Sequence, residues 1–153
     1  MMTLSKALKV KNRLIGEYNK LQEIVRNNNT RRVDSGESTI NVGESWNELL
    51  NLNSKIIELK AKIAVATAPI APYLIDLAET KAMIAFLNSL PIKEGNEDTM
   101  IGYGASASVK TVTWESTITL AGKNTLVKNY ERHLDNLQDK IDEFNATTKI
   151  DFS

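Results

Sequence analysis

The chain has 153 residues, 25% of them charged and 42% hydrophobic, and its formal net charge is zero. This length and composition predict a single soluble, folded domain. The chain has no cysteine, which excludes disulfides, thiolate catalysis and cysteine zinc sites. Aromatic residues make up 6% and there are three prolines, which favours helices over a β-sandwich or barrel.

The first stretch, MMTLSKALKVKNRL, is charged and periodic and lacks the apolar core of a signal peptide. The most apolar run, IAVATAPIAPYLI, is shorter than a membrane span and contains two prolines. We therefore expect a cytoplasmic protein, or a virion component if the gene is phage-encoded, and no membrane as a partner.

Charge is distributed unevenly, because residues 1–32 carry eight basic and two acidic side chains. Such a segment can bind nucleic acid, with Arg26, Arg31 and Arg32 as candidate contacts, or it can pack beside an acidic helix. The second interpretation is favoured because no dense basic block or stacking aromatic residues accompany the charge. No nucleic acid is therefore expected as a partner.

The first half of the chain predicts two helices with apolar seams at three- and four-residue spacing, typical of coiled coils. The first, at about residues 4–27 with Thr3 as its N-cap, has the seam Leu14, Tyr18 and Leu21. The second, at about residues 45–68, opens on a capping box of Ser45 and Glu48. Its seam is Leu49, Leu52, Ile56, Leu59 and Ile63.

The second half predicts two more helices separated by a β-hairpin. Pro69 and Pro72 indicate a kink or tight turn, followed by a helix at about residues 73–90. The segment TMIGYGASASVKTVTWESTITL is rich in strand-forming residues and predicts a hairpin at about 99–118. The last helix, at about 120–147, has the seam Tyr130, Leu134, Leu137, Ile141 and Phe144.

The residue pattern favours no catalytic chemistry. The only histidine, His133, lies beside a helical seam among acids that are interspersed with basic residues, which is typical of a solvated face. A serine triad would need a nucleophile on a sharp turn, and the run GYGASAS does not match a phosphate-binding loop. We therefore expect no catalytic residue, no metal site and no cofactor.

Two tryptophans lie near the start of, or the approach to, long helices. Trp46 and Trp114 are predicted as packing anchors where loops meet the helices. The alternative is that they anchor a subunit interface, where aromatic residues are enriched.

Four segments, in this order, resemble the septicolysin-like family of small bacterial and phage-encoded coiled-coil proteins. They are KAL with RLIGEYNKLQEIVRNN, ELLNLNSKIIELKAKI, LAETKAMIAFLNSLPIKEG and LDNLQDKIDEFNATTKID. The role of that family is unassigned, so the resemblance implies no catalytic motif. The chain departs from the family in its proline-containing apolar stretch and in the strand-rich insert before Trp114.

Together these observations predict a mainly α protein with about four long, antiparallel, coiled-coil-like helices and a small β-hairpin before the last helix. The whole chain, 1–153, is expected to form one elongated domain. Its expected function is a non-enzymatic structural or scaffolding role, with self-association through the seams and other structural proteins as further partners. Two alternatives stay open: a nucleic-acid-binding module using the basic first helix, and a membrane-active, toxin-like protein.

Overall fold

The computed structural model describes residues 1–152 and is mostly helical, at 70%. Its elements are β1 (Met2–Thr3), α1 (Leu4–Asn28), α2 (Val42–Thr67), α3 (Ala71–Ser89), β2 (Gly95–Ile101), β3 (Ser108–Trp114), α4 (Leu120–Thr147) and β4 (Lys149–Ile150). The mainly helical class with a small antiparallel strand pair is confirmed.

The chain divides by its internal contacts into two compact units, whereas the sequence analysis expects one domain. Unit 1 comprises Met1–Pro72 and the chain from Lys140 onward, and unit 2 comprises Tyr73–Asp139.

The kink or tight turn predicted after α2 corresponds to a short 3-10 turn that contains Pro69. A single 3-10 turn, Ala68–Ile70, joins α2 to α3, and together they form one helical segment, Val42–Ser89. The described chain therefore has four α-helices, or three helical segments when α2 and α3 are counted together across the 3-10 turn. Proline has a backbone angle compatible with a helix, and its missing N–H costs little in a first turn. Pro69 and Pro72 lie in the first turns of the 3-10 turn and of α3.

Side chains cap the first two helices. Thr3 caps α1 as predicted, and its Oγ1 accepts a hydrogen bond from the Lys6 N–H at 3.3 Å. The capping box predicted at Ser45 is corrected, because α2 begins three residues earlier and Asn41 is its N-cap. Asn41 Oδ1 accepts from the Glu44 N–H at 3.1 Å, and asparagine caps as well as serine does. Ser45 lies within the first turn and donates its hydroxyl to the Asn41 carbonyl.

The core of unit 1 forms between α1 and α2, which run in opposite directions. Leu4 and Ala7, at the start of α1, share a buried cluster with Ile63 near the end of α2. The buried members of the cluster are Leu4, Ala7, Leu14, Ile56, Leu59, Ile63, Ile150 and Phe152. Leu4 and Leu59 are 0% exposed, so these two positions are where the cluster is most fully buried.

The two ends of the described chain pair as the short strands β1 and β4. Met2 lies opposite Ile150, and the Leu4 N–H donates to the Thr148 carbonyl at 2.8 Å. This pairing directs Ile150 and Phe152 into the core of unit 1. Neither strand is predicted from the sequence, because two residues carry no detectable periodicity.

The hairpin of unit 2 begins earlier than predicted. β2 and β3 pair from Gly95 opposite Trp114 to Ile101 opposite Ser108, so the range 99–118 is shifted toward the N-terminus. Polar residues usually disfavour strands, but here they bond across the ladder. Thr111 donates its hydroxyl to Asp98 at 2.7 Å, and Thr113 donates to Asn96 at 2.8 Å.

Glycine is required in the turn between β2 and β3. Gly102 has φ of 86°, in the left-handed region. A Cβ at this position would lie 3.0 Å from the Ser106 carbonyl oxygen, which is closer than side chains normally approach.

Candidate functional site

The apolar seams predicted on α1, α2 and α4 are turned inward. The buried seam residues are Leu14, Leu49, Ile56, Leu59, Ile63, Leu137 and Ile141. The half-buried ones are Tyr18, Leu21, Leu52, Tyr130, Leu134 and Phe144. A seam that its own chain covers leaves little apolar surface for a second copy.

The two tryptophans are only partly covered. Trp46 is 49% exposed in the first turns of α2, and Trp114 is 42% exposed at the end of β3. Neither side chain is fully buried.

Two of the three candidate nucleic-acid contacts hold the loop after α1. The Arg32 Nε donates to Asp34 Oδ1 at 3.0 Å, and the Arg31 guanidinium donates to the Gly36 carbonyl. Arg26 is exposed in the last turn of α1. These contacts favour a structural role for Arg31 and Arg32 over phosphate binding.

α3 is covered on one side only. The covered side is formed by Asp76, Leu77, Thr80, Ile84 and Leu87. At 100° per residue the opposite side carries Ile75, Ala78, Ala82, Ala85 and Phe86, which we call the α3 outer face. All five are exposed, Ile75 at 64% and Phe86 at 55%. A continuous exposed apolar stripe of this kind is a candidate interaction surface.

Charged residues border the α3 outer face on both flanks. Glu79 and Lys81 are exposed and are the only charged residues of α3 apart from Asp76. Residues two apart on a helix do not face each other, so these two side chains lie on opposite flanks. This surface is not among the sequence predictions, although the regular spacing of small residues in a stretch with three charges is a detectable signal.

The Val42–Ser89 segment also contains a stretch that is long and apolar enough, by length and composition alone, to cross a membrane. The core helix of a soluble protein passes the same test, but such a helix is mostly buried, whereas this stretch is 11% buried. The sequence predicts no such span, because its most apolar run is short and contains two prolines. The helix instead continues through them.

Polar contacts join α3 to α4 within unit 2. His133 Nε2 lies 2.9 Å from Asp76 Oδ2, and the Thr80 hydroxyl donates to Asp76 Oδ1 at 3.1 Å. In a catalytic triad the histidine lies between the hydroxyl and the carboxylate. Here the carboxylate lies between the other two groups, so His133 cannot activate Thr80. The arrangement fits a structural link.

The two partners of Asp76 are expected to contribute unequally to stability. Asp76→Ala should lower the free energy of unfolding by about 1–3 kcal/mol, because the hydroxyl of the buried Thr80 loses its acceptor. His133→Ala should cost less than about 1 kcal/mol, because that pair is nearly half exposed. Urea unfolding measures both variants. Equal losses of unfolding free energy in the two variants would contradict the larger role assigned to the hydrogen bond between Thr80 and Asp76.

A second polar cluster closes the base of the hairpin. Lys93 Nζ lies 4.3 Å from the centroid of the Trp114 ring, and the indole N–H donates to Glu97 Oε2 at 2.8 Å. Lys93 and Glu97 form an ion pair. The Ser116 hydroxyl accepts from the Lys93 N–H and donates to its carbonyl. These contacts support a two-stranded hairpin, which alone is marginal in water.

The stability of the hairpin is expected to decrease at acidic pH because Glu97 becomes protonated. The hydrogen-bonded Lys93 ammonium, and then the Trp114 indole, lower the pKa of the Glu97 carboxyl. Because the folded-state pKa lies below the unfolded one, Glu97 stabilises the hairpin above its unfolded pKa. This contribution is lost as pH falls through the folded pKa. We expect Trp114 fluorescence, followed in Trp46→Phe, to change over this range.

The control for this titration is Glu97→Gln in the same Trp46→Phe background. The amide keeps the shape of the side chain but cannot titrate, so the fluorescence change should disappear. An identical transition in both proteins would exclude Glu97 as its origin.

A groove of about 470 Å³ lies between α1 and α2 in unit 1. Its lining residues are Glu17, Lys20, Leu21, Glu48, Asn51, Leu52 and Lys55. The two leucines are apolar, and the two carboxylates and two ammonium groups balance in charge. The lining includes neither a histidine nor a nucleophilic hydroxyl.

Across residues 1–152, no group of three or more histidine, cysteine, aspartate or glutamate residues could hold a metal ion. No protein-family model matches the chain, and no curated protein or solved structure is significantly similar to it. The α3 outer face, argued from its geometry, is the strongest candidate site.

Proposed function

We propose that the protein is a non-enzymatic structural protein that self-associates, and that the α3 outer face takes part in this association. The observation that carries the proposal is that this apolar face is exposed, while the other seams are covered within the chain. Removing apolar surface from water is the dominant driving force for association. Ile75 and Phe86, each more than half exposed, present on the order of 100 Å² apiece.

The spacing along the outer face supports a coiled-coil mode of association. Ile75, Ala78, Ala82 and Ala85 follow one another at three, four and three residues, which matches the two apolar positions of a heptad. We propose the same type of packing, in antiparallel form, for the seams between α1 and α2.

Sedimentation velocity over a range of micromolar concentrations tests the function. We expect a species of at least twice the chain mass of 17.0 kDa. A monomer at every concentration would overturn the proposal.

Membrane association is the second candidate, because the apolar stretch of the Val42–Ser89 segment is only 11% buried. Insertion of α3 would separate Asp76 from His133 and place Glu79 and Lys81 in hydrocarbon, where charged residues are costly. We therefore expect the protein to stay in the aqueous fraction when neutral or anionic phospholipid vesicles are floated. Recovery with the vesicles would favour the membrane function.

Nucleic-acid binding is the weaker alternative, because Arg31 and Arg32 are engaged within their own loop. It would be recognised by retardation of DNA or RNA that weakens steeply with salt.

We also propose membership of the septicolysin-like family on the four resembling segments, with a cytoplasmic or virion location. A structural role agrees with the absence of a catalytic motif in that resemblance.

A further inference from the structure

We infer that two copies of the chain pair through the α3 outer face as parallel helices related by a two-fold axis, with Glu79 of each copy beside Lys81 of the other. The inference rests on the proposed self-association and adds the direction of the paired helices, their register and the contacts that select the partner.

The α3 outer face has the layout of one half of a helix pair. Ile75, Ala78, Ala82 and Ala85 form its centre, and the alanines allow two backbones to approach closely. Glu79 and Lys81 lie ~80° to either side of this centre line, at 100° per residue. These are the flanking positions that select partner and direction in coiled coils.

The charges distinguish parallel from antiparallel pairing. In a parallel two-fold pair, opposite flanks of the two helices meet. Each Glu79 then lies beside Lys81 of the other copy, about 3 Å away along the axis. In an antiparallel two-fold pair centred on α3, like flanks meet, which places Glu79 beside Glu79 and Lys81 beside Lys81. Like charges in contact disfavour that arrangement.

The same arrangement occurs independently on α2. In sequence, the four-and-three spacing of the α3 outer face runs back from Ile75 through seven further exposed positions, which are Ala71, Ala68, Ala64, Ala61, Ile57, Ser54 and Leu50. Glu58 and Lys60 occupy the same two flanking positions as Glu79 and Lys81, three heptads earlier. Glu58 also forms an ion pair with Lys62 of its own helix at 2.7 Å. On both α2 and α3, a glutamate and a lysine flank an exposed stripe at the same heptad positions. This repetition points to a second copy of the chain as the partner that covers the stripe.

A lipid surface fits these observations less well. Hydrocarbon offers no partner to either flanking charge, whereas a parallel copy offers an opposite charge to both. Asp76 on the covered side of α3 contacts His133 of α4. A second copy can therefore reach α3 only from its outer face.

Cysteine cross-linking tests direction and register, because the chain contains no cysteine. In a parallel, in-register pair each residue of the centre line lies opposite itself, close enough for a disulfide. With oxidised glutathione as oxidant, full-length Ala82→Cys should form a disulfide-linked dimer. Ala121→Cys, at an exposed alanine of α4, is the control and should stay monomeric on a denaturing gel.

A charge swap tests the flanking contacts. Glu79→Lys and Lys81→Glu should each weaken dimerisation about tenfold by sedimentation, and the double variant E79K/K81E should restore it. Residues two apart on one helix do not contact each other, so restoration would have to come from contacts between chains.

The outcomes separate this inference from the proposed function. A wild-type protein that is monomeric in sedimentation overturns both. An oligomeric wild type in which Ala82→Cys does not cross-link overturns the parallel pair alone. Cross-linking found only in a mixture of Ala78→Cys and Ala82→Cys chains would show an antiparallel pair and would likewise overturn the inference.

Discussion

Leu59→Ala is expected to lower the free energy of unfolding by about 2–5 kcal/mol, a large share of the total stability of a small domain. Leu59 is 0% exposed and belongs to the buried cluster between α1 and α2. Truncation removes buried methyl groups and leaves a cavity that the surrounding helices fill only in part. Urea unfolding followed by circular dichroism, at one protein concentration for all variants, measures the change.

The matched control is Leu126→Ala, because Leu126 lies in the helix α4 but is 40% exposed. The same chemical change should cost about 1 kcal/mol or less there, since less apolar surface leaves the core. Similar losses at the two positions would show that the packing of α1 on α2 does not provide the main core of unit 1.

Ile75→Glu is expected to convert the self-associated protein to a monomer. The substitution places a charge at the centre of the α3 outer face, and a two-fold pair buries it twice. If each copy loses about 2 kcal/mol, as at a strong interface position, the dissociation constant rises roughly a thousandfold. Sedimentation at micromolar concentration measures the shift.

Ile40→Glu provides the control, because Ile40 is also exposed, at 40%, and lies in the loop before α2. It introduces the same charge away from the α3 outer face and should leave the oligomer intact. Since Ile75 is 64% exposed, both variants should fold with wild-type circular dichroism. An Ile75→Glu protein that still sediments as an oligomer would remove the α3 outer face from the interface.

Local signals in the sequence predict the helices well but the boundaries of the elements less well. The caps and the three- and four-residue spacing identify helix-forming segments, and the mainly helical class is confirmed. Pro69 and Pro72 predict a kink or tight turn, and a 3-10 turn lies there, yet their place in first turns lets the Val42–Ser89 segment continue. Likewise, Asn96 and Asp98 look unsuited to a strand until the threonines opposite them are known.

The candidate site could not be recognised from periodicity, because the Val42–Ser89 segment carries two apolar stripes. One stripe, containing Leu49, Ile56 and Leu59, consists of large residues, and the other, containing Ala61 and Ala64, consists mainly of small ones. Both stripes share one period, so periodicity alone does not tell which is covered. Large side chains gain more from burial than alanine does, which is why the first stripe faces the core.

By itself, the sequence determined the helix-forming segments, the inner seams and the absence of cysteine chemistry, because each depends on local composition and spacing. Only the tertiary structure decided the rest, since the partners are distant in the chain. It paired Met2 with Ile150, placed Asp76 beside His133, and left the α3 outer face uncovered. Contacts between distant residues leave no local pattern, so they emerge only when the chain has folded.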